Sequence, residues 1–324
     1  MNFPVHATRR AALAVALGLS ALLASCGGGN PIVAFAPHRV LAFGDENSVI
    51  TADGHKYTVN ALVADANGVK TLSCASNPLW VQQLATSYGL VFPECNPNAV
   101  PSPASRIYAA AGAKVADLAA QVDQHFAADT FSDKDLVTLF VGQNDLLEQY
   151  ALYPATPSDQ LLAAAHSAGL ALAAQVTRIA DAGGKVLVST APSLAITPFA
   201  RAEDAAAGDN SRSKLLKSMV DEFNAGLRLG IAKENGSQVA LMLTNEQMEN
   251  MLSFPQSYGG MTNVLDAVCD KTLAPTVLQC TSDTLVSGAT SAAAYLWADD
   301  LHMSPNGHAY IGALAGNRTR TNPF

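Results

Sequence analysis

The sequence predicts an α/β domain of three layers, α/β/α, with a central parallel sheet covered by helices on both faces. Three observations lead there. Short, continuous apolar runs of strand length recur along the chain, each stopped by glycine, proline or a polar cluster. Between them lie longer segments with apolar residues at helical spacing, and such alternation is what crossover units of a parallel sheet produce. The composition, 49% hydrophobic against 14% charged, supplies enough apolar surface to cover a sheet on both sides.

Taken in order, His38–Phe43 reads as a buried strand closed by a tight turn at Gly44-Asp45. Residues 57–105, rich in Asn, Pro and Ser, read as an irregular excursion holding one helix near Leu79–Tyr88. Lys114–Phe126 has helical periodicity, and Leu136–Val141 is a second strand-like run stopped by Gly142. An alanine-rich helix follows over Ser158–Ala182, closed by Gly183-Gly184, and then a third strand over Lys185–Ser189, broken at Ala191-Pro192. Ser211–Lys233 reads as a second long helix, Val239–Leu243 as a fourth strand, residues 246–294 as mixed, and Pro305–Leu314 as a closing helix. No internal repeat is visible, and no second domain is required.

The first residues read as a targeting segment. Arg9 and Arg10 precede Ala11–Ala24, an apolar run too short to span a bilayer. The run ends in Leu23-Ala24-Ser25-Cys26, which resembles the bacterial lipobox, and that resemblance implies a lipid attached to Cys26. The division expected is a signal peptide over 1–25, a lipidated cysteine and glycine-rich tether over 26–37, and the domain over 38–324. Gly27 after the cysteine points by the same resemblance to the outer membrane, and the paired arginines leave twin-arginine export open. Loss of the two arginines takes the formal charge from −8 to −10, which argues against nucleic-acid binding and leaves membrane contact to the acyl chains. Four further cysteines, Cys74, Cys95, Cys269 and Cys280, fit an oxidising compartment; proximity favours Cys74 with Cys95 and Cys269 with Cys280, with other pairings and free thiols still open. There is no Cys-x-x-Cys spacing, and no metal or cofactor is implied.

Three short blocks at strand ends carry chemistry. Trp297 to His308 contains Asp299 three residues before His302, the spacing at which a carboxylate can orient an imidazole base; capping of a helix turn would also explain the aspartate. Leu139 to Asp145 runs a strand into Gly142-Gln143-Asn144-Asp145, where Gly142 lets the backbone turn closely. Tyr108-Ala109-Ala110-Ala111-Gly112-Ala113 is a looser small-residue block. His308 reads as structural, and His55, His125 and His166 have no partner at ligand spacing.

In this order the blocks resemble the SGNH/GDSL hydrolases, and within them bacterial outer-membrane and autotransporter-type esterases, over about residues 38–315. The resemblance implies the SGNH version of the flavodoxin-like fold. It also implies Asp299 as orienter, His302 as general base, and the Asn144 side chain and Gly112 amide as oxyanion donors. Val188–Pro192, Pro198, Phe223-Asn224 and Tyr258-Gly259 to Cys269 are further scaffold likenesses. The activity implied is hydrolysis or transfer of acyl esters, lipid or otherwise, at the cell envelope, with no obligate protein partner.

The chain departs from that family in the opening block, where Gly-Asp is followed by a nucleophilic serine in its members and by Glu46 here. Ser48 matches the second serine of the block, and if the chain turns helical a two-residue step rotates it by about 200° away from the site. For Glu46 three readings stand: a general base or nucleophile, an internal ion pair with His302 that blocks the site, or a solvated side chain at a helix start. A non-catalytic binding lipoprotein is therefore the rival to the hydrolase.

Overall fold

The apolar runs pair side by side. The computed structural model describes residues 35–231, 235–321 and 324, so the expected signal peptide, Cys26 and most of the expected tether lie outside the described residues. The first half contains β1 (Arg39–Gly44), the hairpin β2 (Leu62–Ala64) and β3 (Lys70–Leu72), α1 (Trp80–Thr86), β4 (Arg106–Ile107) and α2 (Leu118–Ala128). There follow β5 (Asp135–Phe140), α3 (Gln143–Tyr150), α4 (Ser158–Asp181), β6 (Lys185–Ser189), α5 (Pro198–Ala207) and α6 (Ser211–Gly230). The chain closes with β7 (Val239–Met242), α7 (Thr244–Ser253), β8 (Asn263–Ala267), β9 (Tyr295–Trp297) and α8 (Pro305–Thr321).

Five of these strands form one parallel sheet in the order β4-β1-β5-β6-β7. Successive side chains point to opposite faces, and the sequence exploits this. Leu41, Phe43, Val137, Leu139, Val186 and Val188 join α2, α4 and α6 in one core layer. Val40, Ala42, Leu136, Phe140, Leu187 and Met242 join α1, α7 and α8 in the other. The three-layer α/β/α expectation is met. At the start of β1, Arg39 faces Asp135 of β5 and binds its carboxylate at 2.7 Å, which fixes their register.

Helices α4 and α6 approach closely because glycines face each other's backbone. A Cβ on Gly169 would meet the Phe223 carbonyl at 2.0 Å, and one on Gly226 the His166 carbonyl at 2.2 Å. The small-residue stripe is thus helix packing.

The four anticipated strands are present, together with elements that were not anticipated: β4, the β2–β3 hairpin, α3, α5, α7 and the small parallel pair β8–β9. The closing helix runs to Thr321, seven residues past the expected Leu314, and the second long helix stops at Gly230, short of the expected Lys233, which lies outside the described residues. The cysteines are joined as Cys74–Cys95 and Cys269–Cys280.

The excursion after β1 is pinned from within. Lys56 is fully buried, and its Nζ donates to the carbonyls of Cys74, Ser76 and Asn77 at 2.8, 2.6 and 2.9 Å. Asn60 couples the two disulfide-bearing segments: its N–H donates to the Cys280 carbonyl at 2.9 Å, and its own carbonyl accepts from Ser282 N–H at 3.0 Å. Thr58 Oγ1 donates to the Met303 carbonyl at 2.9 Å, so the excursion is also tied to the loop before α8.

Candidate active site

The C-terminal ends of β1 and β5, the connection after β4 and the loop between β9 and α8 converge. That is the end at which open α/β sheets place ligands. At the end of β1, Gly44 takes φ of +122°, and a Cβ there would lie 1.9 Å from the Phe140 carbonyl, so only glycine allows β1 and β5 to meet this closely. Gln121 of α2 grips the turn, accepting from Gly44 N–H at 2.8 Å and donating to its carbonyl at 2.9 Å. The next residue, Asp45, is buried and caps the 3-10 turn Glu46–Ser48 by accepting from Asn47 N–H at 3.0 Å. Burial, and then the neighbouring Glu46 charge, push the Asp45 carboxyl well above its ordinary pKa.

Glu46 is directed inward and is 6% exposed, so the solvated reading of this residue is overturned. Its Oε2 accepts from the Gly112 N–H at 2.8 Å, and Asn144 Nδ2 donates to both carboxylate oxygens at 3.2 and 3.0 Å. Gln143 Nε2 adds a longer contact at 3.5 Å. The Glu46 carboxylate therefore occupies the Gly112 and Asn144 donors that the resemblance implies for a developing oxyanion. Burial raises the pKa of this carboxyl, but the contacts from His302, Gly112 and Asn144 outweigh it and the net direction is down.

His302 stands opposite, its Nε2 3.8 Å from Glu46 Oε1, an ion-pair separation longer than a hydrogen bond. Its Nδ1 is 2.9 Å from both Asp299 oxygens, and Asp299 Oδ1 also accepts from the backbone N–H groups of Leu301 at 2.9 Å and His302 at 2.7 Å. One carboxylate thus both caps the turn and contacts the ring nitrogen. Burial opposes the imidazolium, yet Asp299 and Glu46 together raise the His302 pKa to about 9. At neutral pH His302 carries its proton. Two flanking carboxylates thus favour the protonated ring in the resting protein.

Glu46, Gly112, Asn144, Asp299 and His302 are brought together; Ser48 is not. It is fully buried at the far end of the 3-10 turn, where two residues rotate a side chain by about 240°, and its Oγ has no hydrogen-bond partner among the described residues. Three neighbours were missed from the sequence. Gln143 touches Glu46, and Asp145 accepts from Val115 N–H at 3.0 Å, bracing the Gly112 loop against α3; both flank Asn144 in its motif, which was the available signal. The Tyr57 ring lies 5.5 Å from the His302 ring and comes from the irregular excursion, where no motif marks it.

Comparison with known proteins adds one decisive finding: the sequence model of the GDSL-like Lipase/Acylhydrolase family matches residues 40–315. The chain belongs to the GDSL-like lipase/acylhydrolase family. It is a GDSL-type ester-bond hydrolase by descent. No curated protein matches it. Among solved structures it is similar to a lipolytic G-D-S-L family protein from Veillonella parvula, at 13% identity and TM-score 0.41, covering 86% of this chain and 95% of that one. It is similar to the lipase Lip_vut3 from goat rumen metagenome at 12% identity and TM-score 0.48, covering 88% and 99%. The acetylxylan esterase Axe2 from Geobacillus stearothermophilus gives 14% identity and TM-score 0.46, covering 90% and 98%. This GDSL chain holds the Gly-Asp turn, the Asn144 and Gly112 donors and the Asp299–His302 couple together around the Glu46 carboxylate.

Proposed function

We propose that this chain hydrolyses acyl esters by direct attack of water, with Glu46 as general base and His302 as general acid. One observation carries the proposal. The Glu46 carboxylate rests on the Gly112 and Asn144 donors and faces a protonated His302, so base, acid and oxyanion donors already share one pocket. The ester carbonyl oxygen takes the place of Glu46 on those donors. Water attacks the carbonyl carbon and gives its proton to Glu46; the tetrahedral intermediate then collapses, its C–O bond breaks, and His302 Nε2–H protonates the departing alkoxide. Transfer of the proton from Glu46 to His302 restores the resting pair, with a carboxylic acid and an alcohol as products.

The same contacts favour a second reading, a carboxylate plug that leaves a binding protein with no turnover. Glu46→Gln separates the two, because it keeps the size of the side chain and removes the base. Hydrolysis of 4-nitrophenyl acetate by the wild type is expected to exceed that of the variant by at least about 100-fold, the usual scale of a general base. Equal rates in the two proteins would remove Glu46 from the reaction, and a wild type no faster than buffer would leave the binding reading standing.

The place of action proposed is the bacterial envelope, through a lipid on Cys26, most simply at the outer membrane. The support is the Arg9-Arg10 start, the apolar run and Leu23-Ala24-Ser25-Cys26. Cys26→Ser is expected to shift the protein from the membrane to the soluble fraction of cells, and an unchanged distribution would refute the anchor.

A further inference from the structure

Besides the two layers that cover the sheet, the domain has a third, small apolar cluster, and it is built around a disulfide. Cys269 and Cys280 are buried there with Val59, Val268 and Ala298, and Tyr57 packs against its edge. Both halves of the bridge lead to the histidine. On one side Ala298 is held twice: its carbonyl accepts from Cys269 N–H at 2.9 Å, and its own N–H donates to the His302 carbonyl at 2.8 Å. On the other side the Cys280 carbonyl accepts from Asn60 N–H at 2.9 Å, and Thr58, two residues earlier, donates through Oγ1 to the Met303 carbonyl at 2.9 Å. The chain is thus gripped both before Asp299 and after His302 by segments that one covalent link joins.

The histidine needs an outside grip. Asp299 and His302 are tied to each other within their own turn, at 2.7 and 2.9 Å, so the couple is internally fixed and moves as a unit. Its hold on the opposite wall is weaker. His302 Nε2 has no hydrogen-bond partner among the described residues, and its ion pair with Glu46 spans 3.8 Å. The distance from the imidazole to Glu46, Gly112 and Asn144 is therefore set by where the backbone from Ala298 to Met303 is held. A displacement of about 1 Å at such a site costs on the order of 100-fold in rate.

We infer that the Cys269–Cys280 bridge is a positioning element for the reaction, holding the Asp299–His302 couple at its working distance from Glu46 and the oxyanion donors. The groups around the ring are Asp299 on its own turn, Glu46 and Asp45 after β1, Tyr57 of the excursion and His308 of α8. Of these, Asp299 alone is bound to travel with the ring. The bridge also borders solvent-accessible space, since Cys269 and Asp299 share the lining of one cleft of about 310 Å³.

The test removes the bridge with the pair Cys269→Ala and Cys280→Ala. In the otherwise wild-type chain, NMR titration of the His302 ring is expected to give a pKa lower by at least about one unit, because the ring leaves the field of Glu46 and keeps only Asp299. In the chain with Glu46→Ser, and resting on the hydrolase reading above, kcat on 4-nitrophenyl acetate is expected to fall about 100-fold with KM nearly unchanged. Lower stability alone reduces the folded fraction and leaves the ring's titration in place, so an unshifted titration overturns the inference. If the Glu46→Ser chain is inactive with the bridge intact, that reading fails by itself and the titration still decides the role of the bridge. Should the double variant not fold, the bridge is opened in the folded wild type with a water-soluble phosphine. The S–S bond breaks, the phosphine takes an oxygen atom from water, and the two protons of that water leave Cys269 and Cys280 as thiols. The same downward shift supports the inference, and a ring that titrates as before with both thiols freed overturns it.

Discussion

Glu46→Ser is expected to raise ester hydrolysis at least about 100-fold above the wild type and to make the protein open to covalent labelling by a fluorophosphonate. The argument is geometric. The wild-type carboxylate spans from the end of β1 to the Gly112 and Asn144 donors, at 2.8 to 3.2 Å, and fills the space an ester oxygen must enter. Shortening the side chain empties those donors for the substrate and leaves a hydroxyl on the His302 side of the pocket. Removing the Glu46 charge also takes away one of the two anions that hold the His302 proton, so the ring's pKa falls and it becomes able to act as base. Nucleophile, base and oxyanion donors then act as a unit, and such units contribute more than their parts taken singly. Rate on 4-nitrophenyl acetate and mass of the labelled protein read the result. A folded variant with neither turnover nor label would show that the hydrolase geometry is not there to be restored.

The second large effect is expected from Asp299→Asn. In the Glu46→Ser protein it should cost about 10⁴-fold in kcat, because the amide no longer selects the ring tautomer or supports its charge. In the wild type the same substitution reads out as stability. The folded-state pKa of His302, about 9, lies above its ordinary 6.5. The proton therefore stabilises the fold fully below pH 6.5, and this contribution is lost as pH rises through 9, on the order of 3 kcal/mol. Chemical unfolding at steps between pH 6.5 and 9 should show wild-type stability falling relative to Asp299→Asn. Lys56, whose pKa burial lowers to about 8, works in the opposite sense near the upper end of that range, but it is present in both proteins and cancels in their difference. Parallel curves would mean that Asp299 does not hold the proton.

Much of this was legible in the sequence because it rests on short-range rules. The strands β1, β5 and β6 announce themselves as buried runs, Asp299 and His302 are linked within one turn, and Asn144 follows a strand directly. What was not legible depends on contacts distant in sequence. β4 is two residues long and exists because β1 offers it an edge, and Tyr57 meets His302 across 245 positions. The orientation of Glu46 is of the same kind: a carboxylate after a turn is free to face water until Gly112 and Asn144, 66 and 98 residues away, supply three hydrogen bonds. That orientation adds to the hold that Asp299 already has on the His302 proton.

The splice made by Asn60 bears on how the reaction centre opens. Each covalently closed loop alone would flutter independently on a nanosecond scale. The strip 56–60 lies outside both loops and joins them: Lys56 is bonded to the Cys74, Ser76 and Asn77 carbonyls, Asn60 to Cys280 and Ser282, and Thr58 to Met303 near the histidine. A displacement of either loop would then have to break these bonds or carry the other loop with it, and through Thr58 it would pull on the segment that follows the imidazole.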